Sequence, residues 1–364
     1  MYLYTNDIHP DFHRRSLVRM RVTPLLFLVL LVLAASVATE RAADGRSGDV
    51  RDVRHVRDDT WAVIVNSSKF YLNYRHTANA MTVYHALKRM GLPDSRIILM
   101  HADCSTCDPR NPFPGVTYTR PGKPLEREAA GGQSGLAHSL YDGAPEVDYR
   151  DKDVTAESVL RVLTGNTYGA GSKQVLGSTN SSNVLVYLTG HGGDGFLKFH
   201  DQTELMSSDL GAAVEYMDRV GRFKNLLLVL DTCQASTMYE DVGSVLGGWA
   251  GVASSPRGKS SYAMNHDGRV GAFLVDEFTA HMADWLERYH GKKGGGWNEK
   301  QETVGDMIAY VMRQPMSSEV QFDGSKADRG RGGLAIESFF GGIRVVGSGW
   351  RAAEKAAWDA QLAP

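Results

Sequence analysis

Five apolar runs punctuate the chain: "TWAVIVNSS" (60–68), "RIILMHAD" (96–103), "SNVLVYLTGHGG" (182–193), "NLLLVLDTC" (225–233) and "GGWAGVASS" (247–255). Their apolar residues run on without alternating with polar ones, the pattern of strands covered on both faces. Between them the period lengthens to that of helices. "HTANAMTVYHALKRMG" (76–91) aligns Met81, Tyr84, Leu87 and Met90 on one stripe, with Gly91 as a stop. "DVTAESVLRVLTG" (153–165) is helical, with Thr155 and Ser158 both candidates for the cap, and "SDLGAAVEYMDRVGR" (208–222) is a further helix. "GAFLVDEFTAHMADWLERYHG" (271–291) predicts one long amphipathic helix with Leu274, Phe278, Met282 and Trp285 aligned. Buried strands alternating with amphipathic helices predict an α/β fold: a mostly parallel central sheet between two helical layers. Residues 104–150, rich in Pro, Gly and charge, predict a long loop centred on "AAGGQSG".

The amino terminus has a different pattern. "HRRSLVRMRVTPLLFLVLLVLAASVATE" places a basic flank before an apolar run from Leu25 to Leu33, with Ser36 and Ala38 at the −3 and −1 positions of a cleavage site. That is a secretory signal peptide. The run is short for a membrane span, which takes ~20 residues; an uncleaved anchor is the alternative. Met20 opens a segment of ordinary signal length, so the start is either Met1 or Met20. Residues 1–38 are thus read as extension and signal peptide, 55–345 as the folded domain, and 346–364 as a polar tail. The chain of 364 residues is 42% hydrophobic and 23% charged, with a formal net charge of −2. That is a globular composition, and no basic run interleaved with aromatics points to nucleic acid.

Two of the strands end in reactive groups. "YLTGHGG" delivers His191 among glycines, and "LDTCQ" delivers Cys233. Ligands of parallel sheets bind beyond the carboxyl ends of the strands, so neighbouring strands bring imidazole and thiol together. An imidazole beside a thiol lowers the thiol's pKa and shuttles its proton. The glycines at 190, 192 and 193 let the backbone approach a substrate, and their N–H groups with that of Cys233 can stabilise an oxyanion. Asp231 is read as a structural brace, on the opposite pleat from Thr232.

"YLTGHGG" and "LDTCQASTMY" resemble the His and Cys motifs of the caspase-like peptidase clan, in its legumain branch. "NYRHTANAMTVYHALKRMGLPDSRIILMHAD", "CDPRNPFPG", "EVDYR", "VTAESVLRVLTG" and "TGHGGDGFLKFHD" bring the likeness closer to the catalytic subunits of glycosylphosphatidylinositol (GPI) transamidases, over roughly residues 60–345. The resemblance implies a caspase-like three-layer fold, with Cys233 as nucleophile and His191 as base. It also implies Asn73 as the residue that orients the imidazole, and Gly192 with the Cys233 backbone as the oxyanion site. The implied reaction attacks the carbonyl at a small ω residue of a precursor protein and expels its hydrophobic C-terminal signal through a thioester. The acyl group then passes to the ethanolamine amine of a GPI lipid. The implied partners are the other transamidase subunits, the precursors and the GPI lipid, in the endoplasmic reticulum lumen. No cofactor is required for the chemistry.

Three cysteines leave two beside Cys233. Cys104 and Cys107 form C-x2-C, for which a mutual disulfide is geometrically open and a zinc site lacks a second pair. The resemblance implies instead that Cys107 bonds a partner subunit. Glu146 and Asp148 lie two residues apart, and with Asp94 they make a candidate calcium site, which the resemblance supports as structural; a solvated acidic edge is the alternative. Of the sequons at Asn66 and Asn180, Asn180 is the better glycosylation candidate. A legumain-type endopeptidase and a non-catalytic lumenal scaffold are the competing readings. Intact His191 and Cys233 argue against the scaffold.

Overall fold

The first apolar run becomes β1, Thr60–Asn66, and the others become β2 (Ile97–His101), β4 (Asn183–Thr189), β8 (Asn225–Asp231) and β9 (Gly248–Ala253). The two-residue β3 (Tyr149–Arg150) and the three-residue β12 (Gln321–Asp323) close the sheet at its edges. The computed structural model describes residues 59–121, 145–168, 171, 173–243, 248–292, 302–324 and 334–340. The predicted signal peptide, the C-terminal tail and the "AAGGQSG" segment lie outside the described residues.

The strand order is β12-β9-β8-β4-β1-β2-β3. Every pairing is parallel except that of β12 with β9. The continuous apolar runs are explained by what lies on each face. Successive side chains of a strand point to opposite faces, and here both faces are covered. Ala62, Ile64, Leu185, Tyr187, Leu227 and Val229 join one cluster, with Met81 and Leu87 of α1 (Tyr74–Arg89), Phe278 and Met282 of α4 (Glu277–Lys292) and Met307 of α5 (Val304–Val311). Val63, Val65, Val186, Leu188, Leu228 and Leu230 join the other, with Val159 and Val162 of α2 (Ala156–Thr164) and Leu210 and Val214 of α3 (Ser207–Arg219). Each Val, Leu, Ile, Phe or Met side chain among them contributes about 1.5–3 kcal/mol on burial. The three-layer α/β expectation therefore holds.

Three expectations are refined. Residues 271–291 are not one helix. Ala272–Asp276 is a strand, β11, paired antiparallel with β10 (Ala263–Asp267), and the helix starts only at Glu277. Leu274 faces the same core as Phe278 and Met282 from either conformation, so the apolar period could not reveal the break. The run "SNVLVYLTGHGG" ends as a strand at Thr189. Gly192–Gly193 then forms β5, which pairs with β6 (Phe196–Phe199) and, through it, β7 (Thr203–Met206), in a separate small sheet. At the start of α2, Thr155 and Ser158 do not compete. Thr155 Oγ1 accepts from the Ser158 N–H at 3.0 Å, and Ser158 Oγ accepts from the Thr155 N–H at 2.9 Å, a reciprocal capping box.

That cap generates a prediction. Thr155→Ala leaves the α2 amides without their acceptor, and chemical denaturation should show a loss of about 1 kcal/mol with an unchanged m-value.

Candidate active site

The register of β4 against β8 pairs Thr189 with Asp231. His191 and Cys233 each lie two residues past that pair, so the two reactive groups emerge at the same carboxyl edge of adjacent strands. Cys233 is a free, half-buried thiol. The chain turns sharply behind it. Gln234 sits in the left-handed region at φ 54° and donates its N–H to the Lys259 carbonyl at 2.9 Å. Ahead of His191, a Cβ on Gly190 would lie 2.1 Å from Ser67 Oγ. Gly192 is equally tight: a Cβ there would lie 2.5 Å from Thr232 Oγ1 and 2.9 Å from the Phe196 carbonyl. Side chains at either position would push the imidazole loop off the strand ends.

Asn73 stands beside the imidazole, with its Oδ1 2.8 Å from His191 Nε2. Its Nδ2 donates to the Lys69 carbonyl at 2.6 Å, which fixes which end of the amide faces the ring. An amide oxygen only accepts, so Nε2 carries the proton and Nδ1 keeps its lone pair. Asn73 is also the N-cap residue of α1, yet its side chain makes no capping bond. A residue type well suited to capping a helix is spent on the imidazole instead. Behind His191 the ring of His76 packs edge-on at 5.1 Å between centroids. Burial, then the Arg75 guanidinium, hold His191 below the usual histidine range, with Lys198 adding to them. The imidazole is therefore neutral at pH 7, the form a base needs.

Beneath the dyad lies a buried polar cluster that sequence reasoning did not assemble. Asp276 accepts from Arg75 Nε at 3.1 Å and from Asn79 Nδ2 at 2.5 Å, while Asn79 Nδ2 also reaches Thr189 Oγ1 at 3.2 Å. Asp231 accepts from Thr279 Oγ1 at 2.6 Å and Ser261 Oγ at 3.0 Å. Burial, and next the charge of Asp231, push Asp276 up to about 7. One signal of this cluster was available: Asp231 and Asp276 each close an apolar run, in "LLLVLD" and "AFLVD". Their partners are far away in sequence, and nothing in the pattern links them.

The remaining sequence candidates fall elsewhere. Cys107 is bonded to Cys104 within the chain, the two Cα atoms 5.3 Å apart. The single chain thus pairs the two sulfurs with each other, one of the two readings the sequence left open. The C-x2-C spacing had left that pairing open. Asp94, Glu146 and Asp148 do come near one another. Burial, then Glu146 and Asp94, raise Asp148 to about 6. Lys88 and the Tyr84 hydroxyl already engage Asp94, however, and Asp148 accepts from the Leu99 N–H at 2.9 Å. Among the described residues no group of three or more His, Cys, Asp or Glu is arranged as a ready-made metal site. Asn180 is exposed in a turn, whereas Asn66 is fully buried and donates to Thr77 Oγ1 at 3.2 Å.

A thiol and a neutral imidazole at paired strand ends, the imidazole held by an amide, define a site of the cysteine-peptidase type. The chain belongs to the peptidase C13 family, whose profile matches residues 60–326. A GPI-anchor transamidase of Homo sapiens is 36% identical over 331 residues, covering 90% of this chain and 76% of that protein. The GPI-anchor transamidase of Schizosaccharomyces pombe is 36% identical over 294 residues, covering 79% and 70%. A putative GPI-anchor transamidase of Drosophila melanogaster is 37% identical over 295 residues, covering 80% and 76%. Among solved structures, a caspase-1 of Spodoptera frugiperda matches at TM-score 0.42 and 10% identity over 79% of this chain and 92% of that one, a likeness too distant to carry an inference. Family membership makes the protein an enzyme of the cysteine-peptidase type.

The depressed His191 pKa is testable directly. In a Cys233→Ala chain, the NMR titration of the His191 ring should have its midpoint below 6.5, and Arg75→Gln should move it upward. The sign follows from linkage. The unfolded chain takes up this proton first as pH falls through 6.5, so the His191 contribution to stability is present at pH 7 and is lost on acidification. An unmoved midpoint in Arg75→Gln would exclude the guanidinium as a cause.

Proposed function

We propose that the chain is the catalytic subunit of a GPI transamidase. The observation that carries this reading over a plain endopeptidase is that relatives from human, fission yeast and fly, each covering most of the chain, bear that name. The site geometry supports the chemistry. His191 Nδ1 takes the Cys233 proton, and the thiolate attacks the carbonyl of a small ω residue in a precursor protein. The oxyanion forms against the N–H groups of Gly192 and Cys233, where one well-placed donor is worth about 10²–10³ in rate. The imidazolium then gives its proton to the leaving amine, the C-terminal signal peptide departs, and a thioester remains on Cys233. The ethanolamine amine of a GPI lipid attacks that thioester, passes its proton to His191 and frees the thiol.

Water competes for the thioester at a concentration near 55 M, so the amine must be held in place, with the effective concentration that positioning gives. In this reading other transamidase subunits bring the lipid, in the endoplasmic reticulum lumen. No helix among the described residues is long and apolar enough to cross a membrane.

Cys233→Ala should abolish GPI attachment to precursors in cells carrying it as the sole copy, and His191→Ala should cut it by about 10²–10⁴-fold. Circular dichroism should show both variants folded. The complete membrane complex, offered hydrazine or hydroxylamine, should release precursor capped by the amine. Brisk hydrolysis after Asn by the purified single chain, with no amine adduct, would establish the endopeptidase reading instead.

A further inference from the structure

The oxyanion proposed above is served by two N–H groups, of Gly192 and Cys233, that lie on different loops. The pairing of β4 with β8 fixes the roots of these loops but not their tips. Residues 191–198 double back as a hairpin, in which the Lys198 N–H donates to the His191 carbonyl at 2.8 Å and Gly193 pairs with Phe196. Hydrogen-bonded pairs alternate with open ones in an antiparallel ladder, so Gly192, opposite Leu197, turns its N–H away from β6. Beyond Cys233, the left-handed Gln234 leads into a short 3-10 helix, Ala235–Tyr239. Thr237 of that helix is 1% exposed. Its Oγ1 accepts from the Gly195 N–H at 2.8 Å, and its one proton is shared between the Gln234 carbonyl at 2.7 Å and the Gly193 carbonyl at 3.3 Å. A single buried hydroxyl thus joins both sides of the hairpin tip to the residue that follows the thiol.

We propose that Thr237 is a positioning residue for acyl transfer, which holds the Gly192 N–H in line with that of Cys233. This role rests on the acyl-transfer chemistry proposed above, and it is the same whether an amine or water takes the thioester. Two donors stabilise an oxyanion only when both already point at the place where its charge develops. A hairpin tip free to swing would carry Gly192 away from that place while leaving Cys233 where it is. Thr237 does not touch the substrate; it acts through the loop on which Gly192 sits. A hydroxyl suits the task because it accepts and donates at once, here from one backbone N–H and to two carbonyls. Valine has the same shape and can do neither. Arg257 spans the same two segments from outside, engaging Asp194 of the hairpin and Glu240 after the short helix. Those three side chains are exposed, and solvent-screened ion pairs hold geometry weakly, so the buried tie dominates.

The test uses the membrane complex isolated from cells carrying the full chain as sole copy, unsubstituted or with Thr237→Val, Thr237→Ala or Thr237→Ser. For the Val and Ala variants kcat for precursor conversion should fall about tenfold, less than the 10²–10³ that outright loss of an oxyanion donor costs, with KM unchanged. Thr237→Ser keeps the hydroxyl and should keep kcat. A peptide aldehyde adds to Cys233 as a tetrahedral adduct whose oxygen needs the same two donors, so Thr237→Val should weaken its binding by the factor lost in kcat. Alkylation of Cys233 by iodoacetamide passes through no oxyanion. Its rate and pH profile should be the same in all four chains, a result that a general loosening of thiol and imidazole would not give. Unchanged kcat in both the Val and Ala variants, an equal loss in the Ser variant, or alkylation slowed in step with conversion overturns the proposal. An unsubstituted complex that hydrolyses precursor without transfer to an amine, with the same aldehyde pattern across the variants, overturns the transamidase reading and leaves the role of Thr237 standing.

Discussion

The pairing of Thr189 with Asp231 is the constraint on which the site depends. Seven ladder pairs between β4 and β8 fix it, all in one register. A slip of one residue would turn every side chain of either strand to the other face. Leu188 and Leu230 would then leave one core while Tyr187 and Val229 left the other. Because each strand is buried on both faces, the hydrophobic energy of two cores holds the register, and with it the relative placement of thiol and imidazole. No direct bond between the thiol and the imidazole is required to keep the two strand ends aligned.

Below that register the structure places carboxylates where an apolar floor would be simpler. Asp231 and Asp276 are both fully screened from solvent, and burial raises the proton affinity of each. Asn79 connects this floor to the β4 end, since it bonds both Asp276 and Thr189. Arg75 connects it to the imidazole, since the same guanidinium that bonds Asp276 also lowers the His191 pKa. Buried charge of this kind is a poor source of stability. Its value here is geometric and electrostatic: the helix carrying Asn73 also carries Arg75, His76 and Asn79, so one element sets the floor, the ring contact and the amide contact together.

What the sequence disclosed and what it withheld follow from the reach of each interaction. Buried strands and their reactive ends were legible because both depend on local runs of residue types, as at Leu226–Asp231 followed by Cys233. The role expected of Asn73 came from a motif, and the geometry gives it a physical form. The split of residues 271–291 was not legible, because Leu274 and Phe278 face one core through two different backbones. The contact of Asn79 with Asp276 was out of reach too, being set by the packing of α1 on β11 across 197 residues. The pairing of Cys104 with Cys107 was open in the spacing, and family likeness pointed away from it.

The edges of the large sheet have a consequence for the chain's behaviour in company. An open strand edge is a template on which other chains can add, and proteins blunt such edges to stay out of aggregates. Here the sheet tapers on both sides, to two residues at β3 and three at β12. The direction also reverses at β12, whose pairing with β9 is antiparallel. β12 carries Asp323, and Arg150 of β3 is exposed. The strands richest in β-branched and leucine residues, which would be the most adhesive if bare, are thereby kept in the middle. A sheet that presents a free thiol at its carboxyl edge is in this way made unattractive along its flanks.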